Sequence, residues 1–300
     1  MIDKKRSVKQ VRGNGRSPLM IILFVLLIVY AVTILLPIVW WLFEALMDGD
    51  KIESTIIPWP SDWKFDNFFK AFGFFYVPVE SEIGTVYPDL WFMFGYTMLY
   101  AVGSAFMATF VPCIVAYLTA RFDYFFSRLI NVFVVVAIAL PIVGSLPSEI
   151  QMAKTLGLYD KFWGIWIMKS HFISVYYLIF YARFKSFPTS YEEAAQIDGA
   201  GHLRIFFRVI LPLVKNLFWT VFLIMFIAFW NDYYTPLVYM PTYPTVAYGM
   251  WYFNNSTENV ISNVPMKITG CVLMLIPILV LFAIFGKRLM GNLTEGGDKE

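Results

Sequence analysis

The chain has 300 residues, of which 59% are hydrophobic, 19% aromatic and only 15% charged, and its mean hydropathy is +0.65. Soluble domains carry about 45–50% apolar and about 25% charged residues, so this composition excludes a water-soluble globule and points to an integral membrane protein. Two cysteines exclude a disulfide scaffold, and a net charge of +2 carries no nucleic-acid signature.

A helix that crosses a bilayer needs about 20 largely apolar residues. The first such run, 19–43, follows a basic start (Lys4, Lys5, Arg6, Lys9, Arg12, Arg16). It is longer than the apolar stretch of a secretory signal, and no small-residue cleavage site follows it, so a retained first helix is expected. Residues 44–89 are acidic and broken by Pro58, Pro60, Pro78 and Pro88, with a short helix expected near 67–72. Charge-free runs then predict helices over 91–119 and 129–147. A fourth, 164–183, holds Lys169 and His171. A fifth, 215–238, holds Asp232, and a sixth covers 268–287.

Lys and Arg concentrate on the cytoplasmic side of membrane proteins. With six helices and both termini in the cytoplasm, 16 of the 23 Lys and Arg, including all nine Arg, fall inside. Removing the fourth helix would move the basic stretch 183–215 outside. The reading is therefore an all-α, polytopic membrane protein of six transmembrane helices spanning 19–290. Its tails, 1–18 and 291–300, are cytoplasmic.

The least apolar long cytoplasmic stretch is 188–212, PTSYEEAAQIDGAGHLRIFFRVILP. Ser190 and Glu193 have the spacing of a capping box, which starts a helix of about two turns over 191–198. Gly199 stands where a left-handed cap is wanted, and Gly201 gives a second loose point. A second helix restarts at His202, with Leu203, Phe206, Phe207 and Ile210 expected on one stripe. Pro212 closes the unit. Ala194 and Ala195 give the first helix a small face that another protein can approach closely. A connecting hairpin packed only on its own helices fits the same local grammar.

These residues also carry a pattern. Glu193-Ala194-Ala195, then Gly199, then Val209-Ile210-Leu211-Pro212 after nine residues resembles the EAA loop of permease subunits of bacterial ABC importers. Val209 stands where that pattern has Ile. The longer run EEAAQIDGAG, Trp230-Asn231-Asp232, Leu156-Gly157-Leu158 and the Gly-rich tail near Gly291 resemble the carbohydrate branch. Tyr96-Thr97 departs from that branch, which more often has Asn-Thr, and the stretch 78–90 is longer than usual.

The resemblance implies a type I ABC importer permease fold. It also implies that the loop, with Glu192, Glu193, Ala194, Ala195, Asp198, Gly199, Ala200, Gly201, Leu211 and Pro212, docks on a cytoplasmic ATPase dimer. A second, different permease would complete the pore, an extracytoplasmic binding protein would deliver a sugar, and ATP and Mg would be bound by the ATPase.

This chain has no G-x-x-x-x-G-K-[ST] phosphate loop of its own, so no ATP hydrolysis is expected from it. His171, His202, Cys113 and Cys271 are scattered, so no metal site is expected. An ionisable residue in a membrane helix needs a reason. Trp230, Asn231, Asp232 and Tyr233 either line a substrate path or outer gate, or form a polar helix end beside interfacial aromatics. Lys169, near its helix end, is expected to snorkel to the interface. A self-contained secondary transporter or channel for a small polar solute is the alternative. It would need ionisable residues well inside the helices.

Overall fold

A computed structural model of the chain describes residues 18–49, 59, 62–81, 84–140, 144–256 and 263–294. The basic start, Pro58, Pro60 and the last six residues of the predicted tail lie outside the described residues.

Helix α1 (Pro18–Ala45) leads into a short α2 (Asp66–Phe74) and a hairpin of β1 (Val79–Ser81) and β2 (Gly84–Val86). The hairpin is antiparallel, with Glu80 opposite Thr85. Then come α3 (Leu90–Arg121), α4 (Phe125–Ala139), α5 (Leu146–Thr155), α6 (Phe162–Met168) and α7 (Val175–Ser186). The loop helices α8 (Ser190–Ile197) and α9 (His202–Leu213) follow. The chain continues through α10 (Lys215–Trp230), α11 (Tyr234–Tyr239), α12 (Val246–Asn255) and α13 (Val264–Thr294).

Among the described residues, α1 and α3 are long and apolar enough to cross a membrane alone, and α9 with α10 pass together although bent by 78°. The side chains of α1 are almost all exposed, as suits lipid or another apolar surface. Helix α3 is the axis of the bundle, packed between α7 and α10. Its inward side is small (Ala101, Ala105, Ala108, Ala116), which lets the neighbouring backbones approach. At Gly103 the approach is absolute, since a Cβ there would enter the Trp166 indole.

Three predicted spans differ from the observed helices. The helix expected over 129–147 is α4, which ends at Ala139 after 15 residues. The one expected over 164–183 is two helices, because Ser174 caps α7 by accepting from the Tyr177 amide and Lys169 closes α6. The one expected over 215–238 stops at Trp230, because Asp232 accepts the Thr235 amide at 3.0 Å and starts α11. In both broken spans a short polar side chain satisfies backbone that a continuous helix would have used.

Candidate functional site: the helix–turn–helix loop and the opposite helix break

The loop is built on a firm base. Tyr117, Phe184, Ile205, Phe206, Ile210 and Val214 are buried in one apolar cluster at this end of α3. Helix α8 ends in a Schellman turn: the Gly199 amide donates to Gln196 and the Ala200 amide to Ala195, at 2.9 Å each. Gly199 has φ +78°, as the sequence predicted for a left-handed cap. The capping box is not made. Thr189 is already helical and carries no side-chain cap, so Ser190 lies inside the helix rather than before it.

The two glutamates divide. Glu193 and Ala194 face outward with Ile197, which is 87% exposed. Glu192 turns inward, and its Oε1 stands 2.8 Å from Nε of Arg121. Burial raises its carboxyl pKa above the ordinary value, and the Arg121 charge only partly offsets this. Ala195 and Ala200 pack on the core, while Asp198 and Gly201 are exposed.

The expected stripe of α9 is corrected. Ile205, Phe206 and Ile210 are buried, whereas Leu203 is 77% exposed and Phe207 is 50% exposed. The cause is a π turn over Phe206–Ile210, in which the Leu211 amide reaches back to the Phe206 carbonyl. Pro212 has no amide, and its ring crowds the carbonyl four residues before it, which favours the wider turn. Ile205 and Ile210, five apart, thereby share a face. Leu211 is half-buried and Pro212 exposed.

At the other end of the bundle the four residues of the second predicted site do not form one pocket. Trp230 is buried against Phe94 and Phe226. Asn231 donates to its own Ile227 carbonyl, and Tyr233 stacks on Trp251. Asp232 alone gathers partners: it accepts the Tyr100 hydroxyl at 2.6 Å and the Thr235 amide. Lys169 does not snorkel; its Nζ donates to Thr235 Oγ1 at 3.2 Å and lies over the Phe229 ring. Nearby, Asp160 accepts both the amide and the hydroxyl of Thr242, and Tyr239 donates to Glu149. Tyr100, Thr235 and Arg121 were not foreseen, since a single aromatic, hydroxyl or helix-end residue gives no spacing signal. Among the described residues no group of three His, Cys, Asp or Glu is placed to hold a metal.

Residues 108–295 match the family model described as "Binding-protein-dependent transport system inner membrane component". The diacetylchitobiose uptake system permease protein of Streptomyces coelicolor is 24% identical over 274 residues, covering 90% of this chain and 86% of that protein. The maltodextrin transport system permease protein MalD of Streptococcus pneumoniae is 27% identical over 295 residues, covering 92% and 94%. A crystal structure of a bacterial ABC transporter involved in the import of the acidic polysaccharide alginate contains a chain that superposes with a TM-score of 0.68 at 22% identity. The match covers 89% of this chain and 95% of that one, and it shows the shared fold.

Proposed function

The chain belongs to that family, the inner-membrane components of binding-protein-dependent transport systems, and we propose that it is the membrane-spanning permease subunit of an ATP-driven sugar or oligosaccharide importer. Its 188–212 loop is the coupling element to a separate ATPase. The observation that carries this reading is the division of the loop into two faces. Glu192, Ala195, Ile205 and Ile210 anchor it, while Glu193, Ala194, Ile197 and Leu203 stand out from it, uncovered among the described residues. Exposed apolar side chains flanked by a carboxylate, on a rigid base, suit a groove on a partner protein.

The bent pair α9 and α10 supports a lever. Closure of an ATPase dimer pushes α8, α9 carries the push across the 78° bend, and α10 receives it at Val214. A packed bundle answers such a push by switching between arrangements rather than by stretching. ATP and Mg are bound by the ATPase, both termini are cytoplasmic, a second and different permease completes the pore, and a binding protein delivers the substrate from outside. The sugar class rests on the relatives, which are named for diacetylchitobiose and maltodextrin uptake. Asn231 and Tyr233, exposed at the far helix break, are the candidates for the sugar path, and Asp232 holds that break in shape.

The test is affinity purification of the tagged chain in mild detergent, beside a variant carrying Gly199→Pro and Glu193→Ala. Proline cannot adopt φ +78°, so the Schellman turn is lost. An ATPase and a second permease are expected with the parent, and the ATPase is expected to be missing from the variant. A parent that purifies alone, or a variant that keeps the ATPase equally well, refutes the reading.

A further inference from the structure

Arg121 lies outside the loop, yet it is the residue that ties the loop to the bundle. It closes α3, the longest helix among the described residues. Its side chain is 7% exposed and that of Glu192 is 13% exposed, so the pair is removed from water. Arg121 Nη1 also donates to the carbonyl of Phe187, the residue that caps α7. One guanidinium therefore holds the end of α7 and the first turn of α8 to the end of α3. The charges match the helix dipoles as well, positive at the C-terminus of α3 and negative at the N-terminus of α8.

Stability alone does not account for this pair. A buried ion pair gains little over apolar packing of the same volume. This one is also incompletely made. Arg121 Nη2 has no hydrogen-bond partner among the described residues. A guanidinium with an empty second prong can be re-engaged as a two-pronged fork by a small rotation of α8. What the pair supplies in either arrangement is a directional link. Helix α8 cannot leave α3 without stranding a buried charge.

We propose that Arg121 is the positioning residue through which the coupling helix drives α3. A push on the outward face of α8 passes through Glu192 and Arg121 into the long central helix, in parallel with the route through α9 and α10. Helix α3 carries it to its far half, where Tyr100 meets Asp232 at the helix break. The proposal rests on the reading of α8 as the ATPase-docking helix.

The experiment uses the assembled complex with Cys113 and Cys271 replaced by Ala and a reporter cysteine, Phe92→Cys, at the exposed far start of α3. Its maleimide labelling rate is measured with and without a non-hydrolysable Mg–ATP analogue. In the parent the analogue is expected to change the rate about ten-fold, a typical coupling between distant sites. In Arg121→Met and in Glu192→Gln the ATPase still co-purifies but the response is lost. The double exchange Arg121→Glu with Glu192→Arg recovers part of it by re-forming the pair, and the retained ATPase in the single variants separates this from a role in loop shape. An unchanged response in both single variants overturns the proposal. So does loss of the ATPase from both, because the pair would then only shape the docking surface. A parent that keeps its ATPase but shows no response shows that α3 is not driven. A parent without ATPase refutes the docking reading itself.

Discussion

The two ends of α3 treat their polar groups in opposite ways. At the loop end, 188–212 turns its anchoring residues inward and leaves Glu193, Ile197 and Leu203 facing out. At the far end, Tyr100, Asp232, Thr235 and Lys169 spend their hydrogen bonds on one another. The first end leaves apolar side chains uncovered among the described residues, as the proposed docking role requires. The second is largely complete within the chain, and its polar residues hold broken helices where a continuous span would otherwise run. Substitutions within the Tyr100–Asp232 cluster should therefore act mainly on stability, and substitutions on the outward face of the loop mainly on assembly.

The sharpest test of that contrast is Asp232→Ala. It removes the acceptor of the Thr235 amide and the carboxylate partner of the fully buried Tyr100 hydroxyl. Removing the partner of a buried hydroxyl costs about 1–3 kcal/mol. Thermal unfolding in detergent is expected to move down by the corresponding amount, with a smaller shift for Asp232→Asn, which keeps an acceptor. Unchanged stability with abolished uptake would instead place Asp232 on the sugar path and erase the contrast.

A smaller effect is expected at Asp160, which ties the loop after α5 to the stretch after α11. Its backbone is left-handed, with φ 57°, and its carboxylate holds Thr242 at 2.6 Å through the hydroxyl. Asp160→Ala loses those bonds and leaves a Cβ in the left-handed region, a conformation that costs about 1–2 kcal/mol for most residues. Asp160→Gly loses the same bonds but not the backbone fit, so it is expected to be the more stable of the two by about 1 kcal/mol. Equal melting curves for the two would show that the turn relaxes.

The same contrast explains what could be read from the sequence. The loop is contiguous, so its turn chemistry lies in neighbouring letters: Gly199 marks the left-handed cap, and the spaced Glu-Ala-Ala, Gly and Leu-Pro pattern identifies the unit. Its side-chain directions were not legible. Ser190 fits a capping box only if Thr189 is extended, and the chain enters the helix earlier. Leu203 and Phe207 belong to the buried stripe only on a regular helix, and a π turn, favoured by Pro212, stands there instead. The far cluster draws its residues from positions 100, 169, 232 and 235, which lie far apart in the sequence, in α3, at the end of α6 and at the start of α11. Hydropathy found the apolar runs there. It did not find the breaks, because Ser174 and Asp232 start new helices by a hydrogen bond that no average of apolarity registers.

The least effect on stability is expected at the outward face of the loop, and there the contrast is most exposed to failure. Ile197 and Leu203 sit on either side of the Schellman turn, one at the end of α8 and one at the start of α9, both largely in solvent. Ile197→Ser with Leu203→Ser removes apolar surface without opening a cavity, so unfolding should stay within about 0.5 kcal/mol of the parent. If the ATPase covers this face, the two side chains are the ones with most apolar area to bury. Truncation of such residues at a protein interface commonly costs more than about 1 kcal/mol of binding each. The ATPase recovered with the tagged chain should then fall at least several-fold while the second permease is retained. Full ATPase recovery with an unchanged melting curve would mean that the outward face is merely solvated, and that Glu193 and the Gly199 turn do not mark a docking surface.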